Sequence, residues 1–133
     1  MIDKKIFQIA ANTENFGFLD NHTHQSSSKN RLCGDDIKIY LKIKEGTIIK
    51  LKYEGKNCIY CQASASLLSK YVQNKSIKKM KKLIMDVEKL FVSNNSDCND
   101  DWNTFKKIMN KKNIARKDCL ILPLKTLLKA INN

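Results

Sequence analysis

Alternating apolar and polar residues mark two neighbouring β-strands near the middle of the chain. Between residues 36 and 43, every second residue is a branched aliphatic one, namely Ile37, Ile39, Leu41 and Ile43. Residues 47–53 alternate in the same way, which predicts an inward face made of Ile49, Leu51 and Tyr53. Only Glu45-Gly46 lies between the two runs, and a connection this short is typical of an antiparallel hairpin. The pattern therefore predicts two half-buried strands joined by a tight turn.

The spacing of the apolar residues becomes helical after this hairpin. In residues 61–73 and 76–92 the apolar side chains recur at intervals of three and four, which predicts two amphipathic helices. Ser76 is a suitable N-cap for the second helix, because its hydroxyl can accept a bond from a first-turn N–H group. The lysines of residues 75–82 fall opposite the apolar stripe, so we interpret them as a solvated helix face.

The N-terminal third carries weaker signals. Residues 3–11 predict one or two helical turns with Ile6, Phe7 and either Ile9 or Ala10 directed inward. Residues 12–31 are polar and rich in Asn, Ser and His, a composition typical of a loop or an irregular edge strand.

The C-terminal third predicts two further helices. Residues 102–109 form a short apolar pattern, and residues 119–131 form a longer one with Asp118 as a candidate N-cap. Pro123 is compatible with that helix only near its first turn. Because strands precede helices, we expect an α+β fold in one domain over residues 1–133. About three antiparallel strands would be packed on one face by four to five α-helices.

Composition narrows the class of protein. The chain has 133 residues, 42% of them hydrophobic, which suits one folded domain. Its formal net charge is +12, but only two of its 25 basic residues are arginines, the residue that nucleic-acid readers use for forked contacts. No apolar run approaches the length that crosses a bilayer, and the N-terminus lacks a secretory signal pattern. We therefore expect a cytoplasmic protein without a membrane partner.

Cysteine supplies the candidate chemistry. The five cysteines stand at positions 33, 58, 61, 98 and 119. In a reducing compartment, cysteines far apart in sequence are more typical of metal sites or catalytic thiols than of disulfides. The alternative for any single one is a small buried hydrophobic residue.

The predicted hairpin brings three candidate ligands together. Cys33 and Asp35 precede its first strand and Cys58 follows its second, so the antiparallel pairing places them at the same end. Cys119 opens the last predicted helix, where the helix dipole favours a thiolate. Three thiolates and a carboxylate suit tetrahedral Zn²⁺, or iron with sulfide.

The same residues carry a family resemblance that extends over residues 12–131. The motifs are Asn12–Gly17, Cys33-Gly34-Asp35, Gly55-x-x-Cys58 and Ala63-Ser64-Ala65-Ser66, followed by Cys119 at the start of the last helix. In this order they resemble the IscU/SufU/NifU N-terminal family, whose members assemble iron–sulfur clusters on an IscU/SufE-like fold. The 61 positions from Cys58 to Cys119, and Asp118 in place of a histidine, favour the SufU branch.

The resemblance implies a scaffold or a sulfur carrier that receives a persulfide from a cysteine desulfurase. The acceptor would be Cys33 in a SufU-like protein and Cys119 in an IscU-like one. Cys33, Asp35, Cys58 and Cys119 would hold Zn²⁺, or iron and a transient [2Fe–2S] cluster. Further implied partners are apo iron–sulfur acceptor proteins and a second copy of the chain.

Two other hypotheses and several residues stay open. The chain could be a structural zinc module whose lysines bind nucleic acid, or a divergent relative that has lost its metal. Cys61 is either an extra ligand or a replacement for serine under the helix, and we favour the replacement. We interpret Cys98 as an exposed spare thiol and His22 and His24 as solvated loop side chains.

Overall fold

A four-stranded antiparallel sheet carries all the helices on one face, in a computed structural model that describes residues 4–31, 34–92 and 100–132. In chain order the elements are α1 (Lys4–Ala10), β1 (His24–Asn30), β2 (Asp35–Lys44), β3 (Thr47–Glu54), α2 (Ile59–Tyr71), β4 (Lys75–Ser76), α3 (Ile77–Met85), α4 (Val87–Val92), α5 (Asp100–Phe105), a 3₁₀ helix (Lys111–Arg116) and α6 (Lys117–Ile131). The sheet order is β1-β2-β3-β4. Asp86 alone separates α3 from α4, so the two form one interrupted helix. The predicted α+β class is confirmed.

The predicted hairpin is the β2–β3 pair. Its strands pair antiparallel from Lys38↔Glu54 to Lys44↔Thr47. The two connecting residues, Glu45 and Gly46, have φ values of 51° and 75°. Positive φ at both central positions is the geometry that matches the twist of the flanking strands. The turn was therefore predictable from two residues.

An irregularity in the pairing changes the inward face of β3. Lys42 pairs with Lys50 but the next residue, Ile43, pairs with Ile48, so Ile49 has no partner of its own. Such a bulge shifts the alternation by one residue. Ile48 is therefore buried and Ile49 is 38% exposed, and the prediction that Ile49 faces inward was wrong.

The strand count was one too low. β1 pairs with β2 from His24↔Leu41 to Asn30↔Asp35, although its sequence is polar and only Ser26 is buried. β4 is a two-residue pairing of Lys75 and Ser76 with the start of β3. Neither strand shows the apolar alternation that predicts a strand, because both lie at edges of the sheet, where few side chains are buried.

The core lies between the sheet and helices α2 and α6. The apolar stripe of α6 is fully buried and consists of Leu120, Leu124, Leu127 and Ala130. Helix α2 presents small residues at its centre, so neighbouring backbone can approach closely. The hydroxyl of Ser64 donates to the Leu120 carbonyl of α6 at 2.6 Å, and the hydroxyl of Ser66 donates to the Asn12 carbonyl at 2.8 Å. The Ala63–Ser66 motif thus joins α2 to α6 and to the N-terminal segment.

The capping and orientation of the helices show one confirmed prediction and two errors. The Ser76 hydroxyl accepts a bond from the Lys79 N–H at 3.1 Å and caps α3 as predicted. Asp118 is not the cap of α6, because the helix already begins at Lys117. Phe7 of α1 is 50% exposed, not inward. Within the described ranges, no helix is both long and apolar enough to span a bilayer.

Candidate metal centre

Three of the four predicted ligands converge at one end of the hairpin. One ligand atom each from Asp35, Cys58 and Cys119 lies within 4.8 Å of the other two. Asp35 and Cys119 are buried and Cys58 is partly exposed, so the group is open to solvent on the Cys58 side. Cys33, the fourth predicted ligand, lies outside the described residues, as does Cys98.

Hydrogen bonds between the start of β2 and the segment after β3 place Cys58 against Asp35. The Cys58 N–H donates to Oδ1 of Asp35 at 2.7 Å. One residue further along β2, the Asp36 N–H donates to the Lys56 carbonyl at 2.8 Å. The Lys56 N–H in turn donates to Oδ1 of Asp36 at 3.2 Å. These three bonds continue the strand pairing past Glu54 and set the position at which α2 begins.

Gly55 is required where these two segments meet. Its φ is +133°, a conformation open to few residues other than glycine. A Cβ atom on Gly55 would lie 2.4 Å from the backbone carbonyl oxygen of Asp36. The glycine of the Gly55-x-x-Cys58 motif therefore permits the close approach that brings Cys58 to Asp35.

Both cysteines lie at helix N-termini. Cys58 is the N-cap of α2, and its Sγ accepts a bond from the Cys61 N–H at 3.5 Å. Cys119 lies in the first turn of α6. Ser64 bonds α2 to Leu120 of α6, and the sulfurs of Cys58 and Cys119 at the two helix starts lie within 4.8 Å of each other. That arrangement favours negative charge on the sulfurs.

Without a bound cation, the surroundings of Cys58 disfavour its thiolate form. Burial raises the pKa of Cys58, and the Asp35 carboxylate raises it further. The Cys61 N–H and a hydrogen bond from Cys119 act in the opposite direction on the same pKa. A positive ion among these groups would reverse the balance, because thiolates rather than thiols ligate metals.

Cys61 has separate hydrogen-bond partners. It is fully buried, and its thiol donates to Oδ1 of Asn57 at 3.2 Å. It does not belong to the donor group formed by the described residues. The histidines are also outside that group: His22 Nδ1 lies 2.7 Å from the Leu19 carbonyl, and His24 contacts the Thr23 hydroxyl.

The donor set matches the size and preference of zinc or iron. A tetrahedral ion with Zn–S bonds of ~2.3 Å separates two ligating sulfurs by roughly 3.8 Å. The three ligand atoms lie within 4.8 Å of one another, which is compatible with that separation. Two sulfurs and one carboxylate oxygen fit Zn²⁺, or iron with sulfide, better than the oxygen-seeking Mg²⁺ or Ca²⁺.

Two contributors to this geometry escaped the sequence-based prediction. Asp36 was assigned no role, although its carboxylate and its N–H both hold the segment after β3. Ser64 was noted only as part of a motif, yet it sets the pairing of α2 with α6. The position of Ser64 in a run of small residues could have indicated this role, because small residues allow helices to approach closely.

A family model and a known protein both match most of this sequence. The sequence model for the NifU-like N-terminal domain matches residues 1–131. The chain is 36% identical over 122 residues to the iron–sulfur cluster assembly scaffold protein IscU of Thermotoga maritima, which covers 91% of this chain and 86% of that protein.

Solved structures share the fold. A NifU-like N-terminal protein from Brucella abortus superposes with a TM-score of 0.81 at 22% identity, over 98% of this chain and 91% of that one. A candidate cluster-assembly scaffold of the SUF system from Fervidobacterium islandicum gives 0.83 at 22% identity, over 98% and 96%.

Proposed function

The chain belongs to the family of NifU-like N-terminal domains, and from that premise we propose that it is a scaffold for the assembly of iron–sulfur clusters. The observation that carries the proposal is the convergence of Asp35, Cys58 and Cys119 within 4.8 Å at the end of the hairpin. The family match over residues 1–131 supports a single domain for the whole of 1–133.

We assign the four site residues as follows. Cys58 and Cys119 supply two thiolates from two helix N-termini, and Asp35 supplies a carboxylate oxygen from the first residue of β2. Cys33 stands two positions before Asp35 in the chain and is proposed as the fourth ligand. An oxygen ligand among three sulfurs would exchange more readily, which suits a protein that must release what it binds.

Zn²⁺ is proposed as a resident ion that the same residues can hold. It would supply positive charge that keeps the ligating sulfurs as thiolates. The chain itself orients the ligands: the Cys58 N–H bond fixes the Asp35 carboxylate, and the first turn of α6 fixes Cys119. Iron and sulfide are the cargo in this proposal.

Sulfur would arrive from a cysteine desulfurase as a persulfide. A thiolate of the scaffold attacks the terminal sulfur of the enzyme persulfide, the S–S bond of that persulfide breaks, and the desulfurase leaves as a thiolate. The scaffold then carries the outer sulfur as its own persulfide. We assign the attack to Cys33, with Cys119 as the alternative acceptor. Delivery of the finished cluster to apo iron–sulfur proteins would complete the cycle.

The similarities leave both branches of the family open. The long interval from Cys58 to Cys119 supports a SufU-like carrier, whereas the 36% identity is to an IscU scaffold. The alternative of a structural zinc module that binds nucleic acid gains no support from these relatives.

Metal and acid-labile sulfide content of protein purified without oxygen tests the proposal. We expect about one zinc ion per chain, or iron with sulfide after reconstitution. Cys58→Ser and Cys119→Ser should each lose that metal, and Asp35→Ala should weaken it. Cys61→Ser is the matched control, because Cys61 lies one helical turn from Cys58 but bonds to Asn57 instead.

A second measurement follows the sulfur. With a cysteine desulfurase and cysteine present, mass spectrometry should find one added sulfur on the unmutated chain and none on Cys33→Ser. Zinc without sulfur uptake would leave only a structural zinc module. Failure of the unmutated protein to take up any metal after reconstitution would refute the site.

A further inference from the structure

A groove at the β1 edge of the sheet concentrates positive charge. It lies where the end of β1 meets the start of β2 and the second half of α6, and it has a volume of about 580 Å³. Four of its lining residues are basic, namely Lys29, Arg31, Lys38 and Lys129. Asp36 is the single acid among the described residues that line it. Lys29 and Arg31 lie at the end of β1, Lys38 lies in β2 and Lys129 lies in α6. Folding therefore brings together charges that are distant in the sequence.

The acid in the groove is already engaged. Oδ1 of Asp36 accepts the Lys56 N–H, and Asp36 stands directly opposite Lys29 in the β1–β2 register. Its carboxylate therefore has a backbone donor, and Lys29 is its cross-strand neighbour. The remaining cations leave a positive excess in a concave surface, which strengthens the attraction for an anionic partner.

Two of the cations are held in place by the fold. Nζ of Lys129 donates to the Ser27 carbonyl of β1 at 2.8 Å, and Nζ of Lys38 lies 5.3 Å from the centre of the Tyr40 ring. A charge that is already positioned loses less conformational entropy when it binds. Lys29 and Arg31 are exposed at the rim, where they can reach an incoming group.

We propose that this groove docks a carboxylate-rich polypeptide segment of a protein partner. A single-stranded nucleic acid would need rings on which to stack its bases, and the described lining contains none. The lining instead combines ammonium groups with the serines of β1, which suit carboxylates and backbone carbonyls. The segment would lie beside Asp36, which follows Asp35 of the candidate metal centre in β2. The inference does not depend on the metal chemistry proposed above.

Fluorescence anisotropy with a labelled oligoglutamate peptide tests this docking on the full chain. We expect binding that weakens as ionic strength rises toward ~0.15 M, where the Debye length is about 8 Å. An oligoglutamine peptide of equal length should not bind. The measurement is made with and without zinc, so that a failed metal site and a failed groove are distinguished.

Variants locate the binding surface. Lys29→Gln with Lys129→Gln should weaken oligoglutamate binding about tenfold, since each removes one nearby charge. Lys78→Gln with Lys82→Gln is the matched control, because it removes the same charge from the exposed face of α3 and should change affinity less than about twofold. Lys29→Gln alone provides a groove variant that leaves the Lys129 contact to β1 intact.

Two outcomes would overturn the proposal. Equal weakening in the groove and control variants would show that the net charge of +12 attracts the peptide without a defined site. Tighter, groove-dependent binding of an oligothymidylate of matched charge would identify a nucleic acid as the occupant instead.

Discussion

The two ends of the β2–β3 hairpin are built on different principles. At the turn end, Glu45 and Gly46 adopt positive φ, and a Cβ on Gly46 would have no neighbour within 4 Å. At the open end, Gly55 also has positive φ, but a Cβ there would meet the Asp36 backbone at 2.4 Å. The turn end needs only a local conformation. The open end needs that conformation together with a close approach of two chain segments, and it carries the candidate ligands.

This difference explains where the proposed chemistry resides. A tight turn fixes the register of the strands, so a change in the turn would shift the pairing along the whole hairpin. At the open end, the strand register sets the positions of the candidate ligands, because the Cys58 N–H donates to Asp35 at 2.7 Å. A ligand set is sensitive to displacements of a few tenths of an ångström, whereas an exposed turn is not.

Gly55→Ala should have the largest effect. The added methyl group meets a backbone carbonyl that cannot rotate away, in a conformation that disfavours side chains. We expect a loss of about 3 kcal/mol in the free energy of unfolding, together with loss of zinc binding. Urea denaturation and zinc titration measure the two effects. An alanine variant that retains both stability and zinc affinity would show that the open end is not held as described.

Asp35 separates the structural role of the open end from its metal role. Asp35→Ala removes the acceptor for the Cys58 N–H and should cost about 2 kcal/mol in the metal-free protein. Asp35→Asn keeps a side-chain oxygen as acceptor but loses the anionic ligand. It should therefore retain most of the stability while zinc affinity falls by about tenfold or more. Equal zinc affinity in Asp35→Asn and the unmutated protein would remove Asp35 from the ligand set.

Gly46→Ala measures the turn end alone. The substitution should cost about 1 kcal/mol, because a residue with a Cβ is strained at positive φ but meets no neighbouring atom here. Zinc affinity should stay unchanged, because the turn lies at the opposite end of the strands from Asp35. A loss of metal as large as that of Gly55→Ala would mean that the two ends are not independent.

The same contrast accounts for what the sequence could predict. The hairpin, its turn and the Ser76 cap follow from local periodicity and local chemistry and were confirmed. The helices were predicted in the correct order, but the one over residues 76–92 is interrupted at Asp86, the one over 102–109 ends at Phe105, and Pro123 lies inside α6 beyond its first turn. The convergence of Asp35 with Cys58 followed from antiparallel pairing. Cys119 could be added only through the family resemblance and its place at a helix start, because it stands 61 positions after Cys58.

The errors share one physical cause. Phe7, Ile49 and Asp118 were each assigned from an ideal period, and tertiary context decided each of them otherwise. For residues 12–31 both a loop and an irregular edge strand were predicted, and β1 confirms the edge strand. The side-chain pattern could not decide between them, because the pairing of β1 with β2 is made by backbone groups. Asp36 acts partly through its backbone N–H, so its role in positioning Cys58 was not visible in the sequence. Gly55 was visible only as part of a motif, because the backbone contact that requires it appears only in the folded chain.

Substitution of Ile49 should have the smallest effect, and it tests whether β3 pairs with β2 through the bulge. It occupies the bulge near the turn, is 38% exposed and has no partner in β2. Ile49→Thr keeps a β-branched side chain and should change stability by less than about 0.5 kcal/mol. The adjacent Ile48→Thr should cost about 2 kcal/mol, because it places a hydroxyl in the core. Urea denaturation of the pair measures the difference. If the costs were reversed, β3 would pair without the bulge. Ile49 and not Ile48 would then face the core in the part of β3 near the turn. The candidate ligands at the open end would keep their positions, because Gly55 and Asp36 set them.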